Sequence, residues 1–83
     1  MATRKHYMTL CIRGNTEVTH IERNGIIEVT FEQVCTGGFN TLVLDIDANI
    51  ISNEGFNASD VSFFQRFLLS NREVIIMESR GEI

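Results

Sequence analysis

Two strand-like runs, Glu17 to Glu22 and Ile26 to Val34, flank the dipeptide Asn24-Gly25. No other feature of this chain restricts its fold as much. Asn-Gly between alternating apolar and polar residues is the strongest short-range signal for a β-hairpin, because both turn positions need a positive φ. The hairpin has two candidate registers. A two-residue turn pairs Val18 with Phe31 and His20 with Val29, placing His20 on the apolar face. A three-residue turn with Gly25 in a bulge pairs Ile21 with Ile27 and Thr19 with Val29. A slip of one residue sends every side chain to the other face. The second register is preferred here, because it puts Ile21 in the core and His20 in solvent.

Further strands flank this hairpin. Met8, Leu10 and Ile12 alternate with Tyr7, Thr9 and Cys11, which is strand periodicity, and Gly14-Asn15 ends the run. Gly37-Gly38 breaks the third run. Phe39 to Asp47 then alternates, with Leu42, Leu44 and Ile46 inward and Thr41, Val43 and Asp45 outward. Asp47-Ala48-Asn49 reads as a turn, and Ile50-Ile51 as a short extension folding back. With no proline in the chain, Gly and Asn supply the punctuation.

A helix start follows. Asn57 is placed to cap, Asp60 favours the positive end of the helix, and Phe56 can staple onto Val61. Val61, Phe64, Phe67 and Leu68 follow helical spacing, with Phe63 widening the stripe, and Asn71 is a left-handed stop. Val74-Ile75-Ile76-Met77, bounded by charge, reads as a buried strand, with continuation of the helix as the alternative. The expectation is an α+β domain spanning residues 1–83. It has a mostly antiparallel sheet of four to five strands and one helix packed on one face, in the order β-β-β-β-α-β.

Composition narrows the function classes. The chain has 83 residues, of which 43% are hydrophobic and 22% charged. A domain this small buries only about 60% of its unfolded surface, so a homodimer would be a natural way to bury more. Cys11 and Cys35 imply no disulfide framework and read as buried, reduced thiols. No apolar run is long enough to span a membrane, and no apolar segment follows the basic start as in a signal peptide. A cytoplasmic location is expected. Net charge is −4, and from His6 onward five basic residues face 11 acidic ones. Nucleic-acid binding is disfavoured, since it needs a basic stripe to neutralise phosphates.

No motif carries strong chemistry. Asp45, Asp47 and Asn49 have the spacing that opens a calcium loop, but Ile50 stands where the loop needs Gly and Phe56 where it needs Glu. A divalent-metal or small-ligand turn at these residues is the alternative reading; a solvated strand end is the ordinary one. His6, His20, Cys11 and Cys35 match no zinc spacing. No catalytic residue and no cofactor is expected. Outward threonines, Thr9, Thr19, Thr30 and Thr41, make a flat polar sheet face, and Tyr7 is the one outward aromatic. The reading is a non-enzymatic protein-interaction module, an accessory or inhibitory protein. It would bind a larger, basic, nucleic-acid-handling protein through Asp45, Asp47, Glu28 and Glu32. Val74 and Ile76 would lie on an edge strand able to pair with a second chain.

Overall fold

A computed structural model describes residues 3–11 and 14–81. Five strands follow one another along the chain: β1 (Lys5–Cys11), β2 (Asn15–Arg23), β3 (Ile26–Cys35), β4 (Gly38–Asp45) and β5 (Ile50–Glu54). They form one antiparallel meander in the order β1-β2-β3-β4-β5. Helix α1 (Ala58–Ser79) covers one face. The α+β class and the antiparallel sheet with a single helix on one face are therefore as expected. Ile12, expected in the first strand, and the last two residues of the chain lie outside the described residues.

The hairpin takes the two-residue turn, contrary to the preferred register. Val18 pairs with Phe31, His20 with Val29 and Arg23 with Ile26. Asn24 and Gly25 both have positive φ, 53° and 79°, the geometry whose twist matches that of the flanking strands. His20 consequently faces the helix and is 1% exposed. Its Nε2 lies 3.0 Å from Glu78 Oε1, so the carboxylate holds the ring proton on Nε2, while Nδ1 is buried without a partner among the described residues. Ile21 is buried as well, but on the opposite face.

The second correction concerns the chain's last apolar run. Val74 to Met77 is part of α1, which runs unbroken from its cap at Asn57 to Ser79. Asn71 does not stop the helix. Its Nδ2 donates to the Phe67 carbonyl one turn back, and its Oδ1 accepts from the Tyr7 hydroxyl at 2.7 Å. Beyond it, Ile75 is fully buried, His20 reaches Glu78, and Lys5 Nζ donates to the carbonyls of Glu78 and Ser79. A cation on these terminal carbonyls satisfies groups that the helix leaves open and complements its dipole. Such tertiary contacts outweigh the mild helix cost of β-branched residues. Val74 and Ile76 therefore present no strand edge.

The helix start is built as read. Asn57 Oδ1 accepts from the Asp60 amide at 2.8 Å, and Phe56 and Val61 both join the core. That core comprises the inward residues of β2 to β4 with Phe56, Val61, Phe64, Leu68 and Ile75. Phe31 stacks on Phe64 with ring centroids 4.6 Å apart. Phe64 is the buried member of the aromatic stripe, whereas Phe63 is 40% exposed. Tyr7 is not outward. An irregularity between His6 and Met8 leaves it unpaired in the ladder, and it packs edge-on against Phe67 and His20. Desolvation, with a smaller contribution from the Glu78 charge, pushes its phenol above the usual 10.0.

Candidate protein-docking face

Among the described residues a single helix packs on the sheet, and it leaves the other side uncovered. Strand alternation and the observed register decide what stands there. Across the sheet, one row runs Thr9, Glu17, Glu32, Thr41, Glu54. The next runs His6, Thr19, Thr30, Val43, Ser52. Ile21, Glu28 and Asp45 form a third. Thr19, Thr30, Thr41 and Val43 floor a shallow depression, with Arg4, Glu17 and Glu32 at its rim. The polar threonine face expected from the sequence is thus present, and Val43 is the apolar residue within it.

Carboxylates dominate the electrostatics of this face. Glu17 stands directly opposite Glu32, and Glu28 directly opposite Asp45. Like charges facing each other across strands are destabilising, by about 0.2–1 kcal/mol per pair. Among the described residues few cations offset them, and one of these, Arg23, stands at the hairpin end of the face beside Ile26. His6 Nε2 lies 3.1 Å from Glu17 Oε1, and Arg4 Nη1 donates to Thr19 rather than to an acid. Glu28, Glu32 and Glu54 have no ion-pair partner among the described residues.

The expected site residues separate into two groups. Glu28 and Glu32 share the uncovered face, and Asp45, opposite Glu28 at its edge, also lines a cleft beside α1. Asp47 is not on that face: it lies in the β4–β5 turn, where its Oδ1 accepts from Arg72 at 3.0 Å. Ile76 also lies there, lining the same cleft between the hairpin tip and α1 with Arg72, Arg80 and Asp47, while Val74 is on the exposed side of the helix. Glu17 was missed because in the slipped register it opposes Phe31 rather than Glu32.

The Asp45-Asp47-Asn49 turn uses its oxygens internally. Asp45 Oδ1 accepts from the amides of Asp47 and Asn49, each at 2.9 Å, and Oδ2 accepts from Asn49 Nδ2 at 3.1 Å. Desolvation pushes this carboxyl upward, but the hydrogen bonds from Asn49 and Asp47 outweigh it, and the net position is below the usual 3.8. Among the described residues no group of three or more His, Cys, Asp or Glu is arranged to hold a metal ion.

Both thiols are free, but exposed rather than buried, since each closes a strand beyond the reach of the helix. Among the described residues no helix is long and apolar enough to cross a membrane. Comparison with protein families, with characterised proteins and with solved structures finds no match to this chain.

Proposed function

We propose that the chain is a non-enzymatic interaction module that docks a basic surface of a larger protein on its uncovered sheet face. One observation carries this reading: the facing carboxylates Glu17 and Glu32, with Glu28 further along β3, on a face that no described element covers. Among the described residues the Glu17–Glu32 repulsion is offset only by His6, whose Nε2 lies 3.1 Å from Glu17 Oε1. A cationic partner relieves it and gains attraction at the rows that carry Glu17/Glu32 and Glu28. The acidic field also speeds encounter with such a partner. A protein surface evolved to hold phosphates has the complementary charge, so an accessory or inhibitory role toward a nucleic-acid-handling protein follows from occupancy of that surface.

The test compares capture from a cell lysate by the intact chain and by a triple variant, Glu17→Gln, Glu28→Gln and Glu32→Gln. Partners with basic surfaces are expected on the intact chain at low salt, to be lost on the variant and at roughly 1 M salt, where screening acts over about 3 Å. An identical set of partners on both proteins would refute the reading.

A further inference from the structure

The docking face is not acidic throughout. At the β3–β4 hairpin end, Val34 and Phe39 stand directly opposite each other, 75% and 61% exposed. Alternation puts both on the side of Glu32 and Thr41, away from the helix. The polar residues of the same strands, Gln33 and Asn40, turn the other way: Gln33 Nε2 donates to Thr16 Oγ1, and Asn40 Nδ2 donates to Gln33 Oε1. This aromatic and aliphatic pair therefore adjoins the acidic row and is not shielded by it.

Other exposed apolar residues lack this setting. Ile26, at the far end of the same face, is paired with Arg23, a charge that repels a basic partner. Phe63, Leu69, Val74 and Met77 lie on α1. Ile50 and Ile51 lie on the edge strand β5. Interfaces of high affinity combine a desolvated apolar anchor with a polar, charged surround. Val34 and Phe39 beside Glu17 and Glu32 make that combination.

We infer that the partner seats one bulky apolar side chain on Val34 and Phe39 and places cations further along the strands, over Glu17/Glu32 and over Glu28. This rests on the docking reading above and deepens it. Residues on one face recur every second position, so the cations lie about 7 Å and about 20 Å from the anchor. A neutral, small group faces the Thr19/Thr30 row between them. For a partner segment extended along β3, the pattern is an apolar residue with Lys or Arg two and six positions away.

Panning a random dodecapeptide library against the purified chain, and in parallel against Phe39→Ser and the triple Glu→Gln variant, tests this. Phe39 is mostly exposed, so its replacement leaves the fold intact, as an unchanged melting curve checks. The expected result is enrichment of basic peptides with an apolar residue at that spacing. The synthesised best binder should then bind Phe39→Ser roughly ten- to thirty-fold more weakly, the loss of one apolar anchor. Enrichment of basic peptides with no fixed apolar position, indifferent to Phe39→Ser, overturns the anchor while the basic docking reading stands. Absence of basic enrichment overturns both.

Discussion

At the scale of single residues, polar groups do more to place this fold than their number suggests. His20 is enclosed between sheet and helix, and the position it occupies is tolerable because Glu78 comes to it from 58 residues further on. A buried imidazole without such a partner costs on the order of 1–3 kcal/mol. Asp45 organises the β4–β5 turn by accepting three hydrogen bonds. Because its folded carboxyl sits below the usual 3.8, the ionised form is the one that the fold favours. Its contribution is fully present above the unfolded value and is lost as pH falls through the folded one. Asp45→Asn is accordingly expected to lower stability at pH 7 by about 1 kcal/mol, the net worth of the bonds that an amide cannot accept. In urea unfolding, the gap between the two proteins should narrow as pH falls below 3.8 and close once wild-type Asp45 is neutral in the folded protein as well. A gap constant with pH would show that shape and not charge holds the turn. Tyr7 has the opposite sense: its raised phenol favours the neutral form, so its contribution falls as pH rises beyond 10.0 through the folded value.

At the scale of elements, the outcome follows how local each instruction is. Asn24-Gly25 marks a turn by itself, Asn57 marks a helix start by itself, and alternation in Phe39 to Asp45 marks a strand. Each is legible because the physics sits within a few residues. The hairpin register and the end of the helix are not of this kind. Both registers bury apolar residues; the observed one has positive φ at both Asn24 and Gly25, and it puts His20 on the side where Glu78 reaches it. Val74-Ile75-Ile76-Met77 has the same periodicity as a buried strand or a buried turn of helix, and Lys5, bound to the Glu78 and Ser79 carbonyls, lies at the other end of the chain. The site inherits this division. Glu28, Glu32 and Asp45 were legible as outward acids, whereas the Glu17–Glu32 opposition appears only once the register is known. Two substitutions separate helix from strand at the last run. Ile75→Ala should cost about 2–5 kcal/mol, as for other fully buried side chains. Val74→Ala, at a 43% exposed helical position, should be neutral or stabilising by up to about 0.5 kcal/mol, because Ala is the better helix former. In a strand, the same change would lose stability, by up to about 1 kcal/mol. Urea midpoints of the two variants decide between them.

At the scale of the molecule, one helix and five strands divide the surface of the sheet into a face used for folding and a face that is not. The folding face holds the core. The other sets Glu17 opposite Glu32, where they repel each other, an arrangement that a sequence selected for stability alone would remove. This sets stability and docking against each other at identifiable residues. Glu32 faces Glu17 across β2 and β3 and has no ion-pair partner among the described residues. Glu32→Gln is therefore expected to raise unfolding stability by about 0.2–1 kcal/mol at low salt. The gain should shrink toward zero near 1 M salt, where the Debye length is about 3 Å. The same variant should bind a cationic partner more weakly, since it removes one of the charges that the partner meets. Thermal unfolding and peptide binding, each measured at low and high salt on the same preparation, give the two signs independently. Opposite signs are what a docking residue produces. A Glu32→Gln protein that is less stable, or equally stable at both salts, would mean that these carboxylates do not repel in the folded chain, and would remove the reason for assigning a partner to this face.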